Sequence, residues 1–88
     1  MKLEGRVALI TAVGKQTGMG RGIARMLARE GADLVLNSST PESVEGAVGE
    51  MRELGRKAVG VAGDAGNREV CQEMVDAAMR EFGRLDVV

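Results

Sequence analysis

The stretch "ITAVGKQTGMGRGIA" (residues 10–24) sets three glycines, Gly14, Gly18 and Gly20, between an apolar run and a helical pattern. Glycine lets the backbone turn tightly, and it has no side chain to keep an anion away from the main-chain amides. A helix that begins at the end of such a loop directs its free N–H groups and the positive end of its dipole at that anion. The stretch therefore predicts a strand, a loop able to wrap a phosphate, and a helix.

Further glycines divide the rest of the chain into the same unit. Gly31, Gly55 and Gly83 each follow a segment of helical periodicity and precede a short apolar run, as expected where a left-handed residue ends a helix. The predicted strands are Val7–Ala12, Leu34–Asn37, Ala58–Ala62 and the start of a fourth at Asp86–Val88. The predicted helices are Met19–Glu30, Pro41–Leu54 and Arg68–Phe82, the last two with Thr40 and Asn67 as N-caps.

Each predicted helix carries apolar residues at three- and four-residue spacing, which indicates the face that packs on the core. These residues are Ile23, Met26 and Leu27 in the first helix, Val44, Ala47, Val48, Met51 and Leu54 in the second, and Cys71, Met74, Val75, Ala78 and Phe82 in the third. The methionines and the cysteine are predicted to fill the core. Ala24 and Ala28 allow the first helix to pack closely.

The strands are short, apolar and nearly without alternation, a pattern typical of strands that helices cover on both faces. Their regular alternation with helices predicts an α/β fold, namely a doubly wound parallel sheet of the Rossmann type with right-handed crossovers. Only the first three strand–helix units and the start of a fourth strand are present. Ligands of such a sheet bind beyond the carboxyl ends of its strands, which is where the glycine stretch lies.

Composition argues against several classes of function. At 88 residues the chain forms at most one small domain, and 44% apolar and 28% charged residues are typical of a globular protein. A net charge of −1 and a single aromatic residue, Phe82, argue against nucleic acid as a partner. The first apolar run, which follows Glu4 and Arg6, is too short for a membrane span and poorly built for a signal peptide. One cysteine and no histidine predict no disulfide, no metal site and a cytoplasmic location.

The spacing Gly14-x-x-x-Gly18-x-Gly20 resembles the glycine signature of the short-chain dehydrogenase/reductases. The segments GRVALIT, GRGIARMLAREGADLVLN, GRKAVGVAGDAGN and FGRLDVV are similar to that family's amino-terminal segments in their usual order, so the likeness covers the whole chain. Two features depart from the pattern: Thr11 is followed by Ala12 instead of glycine, and two extra residues lengthen the loop, as in enoyl-carrier-protein reductases. The resemblance implies the strand order third-second-first-fourth.

The resemblance also implies a nicotinamide dinucleotide as cofactor. Selectivity for NAD normally comes from a carboxylate at the end of the second strand, which binds the adenosine ribose. This chain has amide and hydroxyl side chains there, which can donate to a 2′-phosphate, so NADP is favoured and NAD is the alternative. Asp64 and Ala65 are assigned to the adenine pocket by resemblance, with a turn or capping role as the other interpretation of Asp64. The predicted cofactor-binding residues are Gly14, Lys15, Thr17, Gly18, Met19, Gly20, Asn37, Ser38, Ser39, Asp64 and Ala65.

The activity that the resemblance implies is hydride transfer between the nicotinamide and a small-molecule carbonyl or alcohol, like that of 3-oxoacyl-carrier-protein reductases. The family's catalytic Ser, Tyr and Lys have no counterpart that we can assign, and the chain contains no tyrosine. Family domains have roughly 250 residues, so we expect residues 1–88 to be the amino-terminal, cofactor-binding part of one domain, with an exposed sheet edge open to self-association. Two alternatives remain: a stand-alone nucleotide-binding module without catalysis, and part of an S-adenosylmethionine-dependent methyltransferase, which would ordinarily have an acid after the second strand.

Overall fold

The computed structural model describes residues 3–11, 13 and 18–86. Strands and helices alternate along this part of the chain. The elements are β1 (Val7–Ile10), α1 (Met19–Arg29), β2 (Asp33–Ser38), α2 (Pro41–Glu53), β3 (Ala58–Ala62) and α3 (Arg68–Phe82). The strands are parallel and form one sheet in the order β1-β2-β3. The predicted α/β fold with a parallel, Rossmann-type sheet is confirmed.

Most predicted boundaries are confirmed to within a residue or two. β3 and α3 have the predicted bounds, whereas α1 and α2 each end one residue early because the last predicted residue serves as the C-cap. β2 is longer than predicted by one residue at each end, since its terminal residues still pair with β1 and β3. The prediction that β1 continues through Thr11 is wrong, because the pairing with β2 ends at Ile10. Ala12 lies outside the described residues.

The sheet separates two layers of helices, with α1 and α2 on one face and α3 on the other. The buried core under α1 and α2 comprises Ala8, Val13, Ala24, Ala28, Ala32, Leu34, Leu36, Val44, Ala47, Val48, Met51 and Ala58. The buried core under α3 comprises Val7, Leu9, Val35, Met74, Ala77 and Ala78. Successive strand residues alternate between these two cores, so both faces of the sheet are apolar. Of the helices described, none is both long and apolar enough to cross a bilayer.

The predicted helix ends are confirmed by their local chemistry. The Thr40 hydroxyl accepts a hydrogen bond from the Ser43 N–H (3.3 Å) at the start of α2, and Pro41 occupies the first helical turn. The Asn67 side chain accepts from the Glu69 N–H (2.8 Å) at the start of α3. All three glycines predicted to end helices have positive φ, between 75° and 99°. The chain therefore turns from helix to strand where glycine relieves the steric cost of a left-handed residue.

The prediction of the buried face of α1 is wrong in part. Ala24 and Ala28 pack on the sheet, and their small side chains bring the helix close to the strands. Ile23 and Met26, which were expected in the core, are 43% and 66% exposed. With 3.6 residues per turn, these two residues lie with Met19 on the side of α1 that is turned away from the alanines. The alanines decide which face is buried.

The other predicted core residues divide between buried and exposed positions. Val44, Ala47, Val48, Met51, Met74 and Ala78 are buried, Leu27 and Phe82 are partly buried, and Leu54, Cys71 and Val75 are exposed. The prediction for Cys71 is wrong because it lies near the start of α3, where its Sγ donates to the Ala65 carbonyl (3.0 Å). The general prediction for methionine also fails at Met19, Met26 and Met79, which are more than half exposed.

The chain returns to the outer edge of β1 after α3. The Asp86 N–H donates to the Val7 carbonyl (2.9 Å), and the Val7 N–H donates to Asp86 Oδ2 (2.9 Å). Asp86 is thus positioned next to the start of β1, on the side opposite β2. The predicted fourth strand beyond it stays a prediction, because residues 87–88 lie outside the described residues.

Candidate functional site

The described members of the predicted site lie at one edge of the sheet. Parallel strands end at the same edge, so the segments that follow them converge there. Residues 18–20 start α1 after β1, residues 37–39 end or follow β2, and residues 64–65 follow β3. Three further members of the predicted set, Gly14, Lys15 and Thr17, lie outside the described residues.

The start of α1 differs from the starts of α2 and α3. Gly18 is the N-cap, with an extended backbone (φ −78°, ψ 160°), and it offers no side-chain oxygen to the first turn. No acidic residue lies in that first turn, whereas α2 and α3 have both a capping side chain and a glutamate there. In the described part of the chain, α1 is therefore the one helix whose N-terminal amides have no side-chain cap. Such amides are the natural donors to an anion.

Backbone hydrogen bonds join the three strand ends beyond the regular sheet. The Val13 N–H donates to the Asn37 carbonyl (3.0 Å), and the Gly63 N–H donates to the Ser38 carbonyl (2.8 Å). Val13 is fully buried and immediately precedes the glycine loop. The approach to the loop is thus anchored on the end of β2, and the end of β2 is anchored on the turn after β3.

Asn37 holds the ends of β2 and β3 together. Its Nδ2 donates to the Val61 carbonyl (3.0 Å) and to the Gly63 carbonyl (3.1 Å), and the residue is 2% exposed. Two acceptors use both protons of this nitrogen. The expectation that the Asn37 amide donates to a 2′-phosphate is therefore wrong for Nδ2 in this geometry. A contact from its other atoms to a cofactor stays a prediction.

The residues after β2 carry hydroxyls and no carboxylate. Ser38 is buried, and its Oγ lies 2.6 Å from Ser43 Oγ in the first turn of α2. Ser39 is exposed, and its hydroxyl has no hydrogen bond within the described residues. The first acid is Glu42, which belongs to the first turn of α2 as predicted. A ligand at this corner therefore meets hydroxyl groups first.

The turn after β3 is shaped by Gly63 and Asp64. Gly63 has φ 140°, and a Cβ at this position would lie 2.7 Å from a methyl carbon of Val70. Asp64 Oδ1 accepts a hydrogen bond from the Gly66 N–H (2.8 Å), and the Asp64 carbonyl accepts from the Asn67 N–H (2.9 Å). The turn role considered for Asp64 is confirmed, while its contact to adenine stays a prediction.

Sequence reasoning missed Arg21, the residue directly after the last loop glycine. Arg21 is 5% exposed, and its Nε donates to the Val13 carbonyl (2.7 Å) while its Nη1 donates to Glu50 Oε1 (2.8 Å) on α2. The hydrogen bond from Arg25 holds the pKa of the Glu50 carboxyl below its ordinary value, and the one from Arg21 adds to this effect. A signal was available, because Arg21 lies three residues before Ala24 and thus on the buried face of α1.

Known proteins resemble this chain in sequence and in fold. The family model described as short chain dehydrogenase matches residues 6–88. General stress protein 39 of Bacillus subtilis (strain 168) is 38% identical over 88 residues, which cover 99% of this chain and 30% of the relative. L-rhamnose 1-dehydrogenase (NAD(P)(+)) of Sphingomonas sp. (strain SKA58) is 36% identical over 87 residues, which cover 98% of this chain and 34% of the relative.

Among solved structures, L-sorbose reductase from Gluconobacter frateurii, complexed with NADPH and L-sorbose, has a TM-score of 0.88 at 30% identity. The comparison covers 99% of this chain and 34% of that one. The chain spans about a third of the length of the curated relatives it matches, 30% to 35% in the first three. Because the family match runs over residues 6–88 and the fold agrees over nearly the whole chain, this chain belongs to the short chain dehydrogenase family.

Proposed function

We propose that the chain is the amino-terminal, cofactor-binding part of a single Rossmann-type domain, and that the whole protein is an NADP-dependent oxidoreductase. Its reaction moves hydride between the nicotinamide and the carbonyl or alcohol of a small molecule, in the manner of 3-oxoacyl-carrier-protein reductases. Two relatives support this class, since one is named for NAD(P)(+) and another was solved with NADPH. The proposed location is the cytoplasm, where a lone cysteine stays reduced.

The observation that carries the proposal is the uncapped start of α1. The first-turn amides near Gly18 and Gly20 have no side-chain acceptor in the described part of the chain, and the helix dipole makes this end positive. A dinucleotide's diphosphate supplies the acceptors and the negative charge that these amides lack. Met19, a predicted cofactor-binding residue between the two glycines, is 82% exposed. The predicted loop residues Gly14, Lys15 and Thr17 complete the proposed phosphate site.

The end of β2 supports NADP over NAD. No carboxylate in residues 37–40 is available to bind the ribose hydroxyls or to repel a 2′-phosphate. In the proposed complex the exposed Ser39 hydroxyl donates to that phosphate, and Ser38, held by Ser43, shapes the corner beside it. Asp64 and Ala65, at the turn after β3, form the proposed adenine pocket. The Asp64 carboxylate retains Oδ2 for a donor because the turn engages Oδ1.

The test is calorimetric titration of the protein with NADPH and with NADH. We expect NADPH to bind more tightly, and a clear preference for NADH would contradict the proposed selectivity. Ser39→Asp places a carboxylate beside the proposed 2′-phosphate and is expected to weaken NADPH binding about ten-fold through like-charge repulsion. Ser39→Asn is the matched control, since it has nearly the same shape without the charge.

One observation keeps a second function in view. The second candidate is a nucleotide-binding module without catalysis, because residues 1–88 contain no tyrosine and the family's acid/base would have to come from outside them. Turnover by the whole protein separates the two hypotheses: consumption of NADPH with a ketone substrate supports the enzyme, and tight binding without turnover supports the module. Membership of the dehydrogenase family leaves the methyltransferase alternative without support.

A further inference from the structure

Arg21 is a buried charge at the base of the proposed phosphate site. In the described residues, the buried polar side chains are those of Arg21, Asn37 and Ser38. A guanidinium is costly to bury unless its charge and its N–H groups are satisfied. Arg21 comes one residue after Gly20, so this buried charge lies directly beside the loop.

The Arg21 side chain connects the beginning of the loop to the helix that begins at its end. Nε donates to the carbonyl of Val13, the last described residue before the loop, at 2.7 Å. Arg21 itself belongs to the first turn of α1, which starts after Gly18. One side chain therefore sets the separation between the chain entering the loop and the chain leaving it.

The other end of the guanidinium is fixed by α2. Nη1 donates to Glu50 Oε1 at 2.8 Å, and Arg25 also pairs with the Glu50 carboxylate. A Cβ added to Gly46 would lie 3.8 Å from Arg21 Nη2, so α2 passes close under the guanidinium. Two charge-assisted contacts hold Glu50, and Glu50 in turn fixes the rotamer of Arg21.

We infer that Arg21 is a positioning residue for the diphosphate of the dinucleotide, acting through the Val13 carbonyl and held in place by Glu50. The inference rests on the proposed function. A fork-shaped guanidinium can bond the carbonyl and the carboxylate together, whereas the single ammonium of lysine is a compact point charge on a flexible stem. Arg21→Lys therefore keeps the charge beside Glu50 and removes the hydrogen bond from Nε to the Val13 carbonyl. The side-chain hydrogen bonds of the adenosine corner, made by Asn37 and Ser38, do not involve Arg21.

The experiment compares two ligands by calorimetry on the parent protein and on Arg21→Lys. NADPH contains the diphosphate, whereas adenosine 2′-monophosphate contacts only the adenosine corner. We expect Arg21→Lys to raise the Kd for NADPH about ten-fold, because the start of α1 that binds the diphosphate is no longer held to Val13. The Kd for adenosine 2′-monophosphate is expected to stay within a factor of two. Equal weakening of both ligands, or of neither, would overturn the inference.

Two further variants keep the test decisive. Arg56→Lys is the matched control, because Arg56 Nη1 also donates to a backbone carbonyl at 2.7 Å, that of Gly31, and its binding of both ligands should match the parent. If Arg21→Lys does not fold, Glu50→Gln is judged by the same two Kd values, since it removes the charge that holds Arg21. If the parent binds neither ligand, the proposed function fails before the role of Arg21 is tested.

Discussion

Gly63 has a backbone conformation and a close neighbour that both exclude a side chain. Its φ is 140°, and an added Cβ would lie 2.7 Å from Val70 Cγ2. We expect Gly63→Ala to lower the free energy of unfolding by about 1–3 kcal/mol, because alanine is strained at such a φ and Val70 must move. Chemical denaturation followed by circular dichroism measures this loss. A variant as stable as the parent would contradict the strain.

The matched control for this substitution is Gly49→Ala. Gly49 lies in the middle of α2, and an added Cβ there meets nothing within 4 Å. The same chemical change is therefore expected to raise the free energy of unfolding by roughly 0.5–1 kcal/mol, because alanine loses less conformational entropy in a helix. Opposite signs at the two positions would separate backbone strain from any general effect of adding a methyl group.

Asp86 makes stability depend on pH where its segment meets β1. Hydrogen bonds from Arg84 and from the Val7 N–H lower the pKa of Asp86 from 3.8 to about 2. A carboxyl group with a depressed pKa in the folded state stabilises above its unfolded pKa, and the contribution is lost as pH falls through the folded value. We therefore expect the parent to be more stable than Asp86→Asn at pH 6, with the difference closing as pH falls from about 4 to about 2.

Denaturation of both proteins at a series of pH values measures this difference. Glu81→Gln is the control, because Glu81 pairs with Arg80 at 3.4 Å on an exposed surface where an ion pair contributes little. A difference between the parent and Asp86→Asn that does not change between pH 6 and pH 2 would show that the carboxylate is not the stabilising group.

Unlike α2 and α3, α1 has no side-chain cap at its N-terminus within the described residues, and the missing cap lowers the free energy of unfolding. An aspartate at the N-cap would satisfy the first-turn amides, and the extended backbone of Gly18 (φ −78°) accepts a side chain. Gly18→Asp is therefore expected to leave stability unchanged or to raise it by a few tenths of a kcal/mol. Binding of NADPH should weaken by about 100-fold, because the carboxylate occupies the amides and repels the diphosphate.

Calorimetric titration and thermal denaturation of the same samples separate the two effects. Asn67→Asp is the matched control, since it places an aspartate at the N-cap of α3, where Asn67 already accepts from the Glu69 and Val70 amides. Its NADPH affinity should equal that of the parent. Unchanged NADPH affinity in Gly18→Asp would show that the first-turn amides of α1 do not bind the diphosphate, and would contradict the proposed function.

Elements were predictable wherever their ends are decided locally. Thr40 followed by Pro41 starts α2 whatever packs around it, and Gly83, with φ 75°, ends α3 in the same way. The buried face of α1 was not predictable in this way, because the number of large apolar residues favours a face with Ile23 over a face with Ala24. The contact of Ala24 with the sheet depends on how close the helix lies to the strands, which is a property of the tertiary structure.

The site was predictable where it follows from topology and unpredictable where it follows from pairing. Parallel strands bring the segments after β1, β2 and β3 to one edge, so the proximity of the glycines, the hydroxyls and Asp64 follows from topology. The assignment of Asp64 to an adenine pocket came from the family resemblance and stays a prediction. Asn37 joins the ends of β2 and β3 through hydrogen bonds to carbonyls that lie 24 and 26 residues further along the chain. Likewise, the spacing to Ala24 indicates that Arg21 lies on the buried face of α1, but its partner Glu50 lies 29 residues further along the chain. Partners so distant in sequence leave no local pattern.

At the scale of the molecule, apolar side chains on two helices face away from the described core. On α1 these are Met19, Ile23 and Met26, which lie on one side of the helix and are 82%, 43% and 66% exposed. On α3 they are Val75 and Met79, one turn apart and 39% and 52% exposed. Contiguous exposed apolar residues of this kind mark surfaces that favour contact with other protein. The exposed faces of these two helices are therefore an alternative to the sheet edge as the surface of the expected self-association.

We predict that the 88-residue chain self-associates through the α1 face. Sedimentation velocity over a range of concentrations should show a weight-average mass that rises with concentration. In the double variant Ile23→Lys and Met26→Lys, this rise should occur at roughly ten-fold higher concentration, because two charges replace apolar contact area. Leu54→Lys is the control, since Leu54 is similarly exposed (41%) at the end of α2 and away from this face. If the double variant associates as strongly as the parent, the α1 face is not the contact surface. The edge of the sheet is then the surface to test, because an edge strand can offer N–H and C=O groups to a second copy.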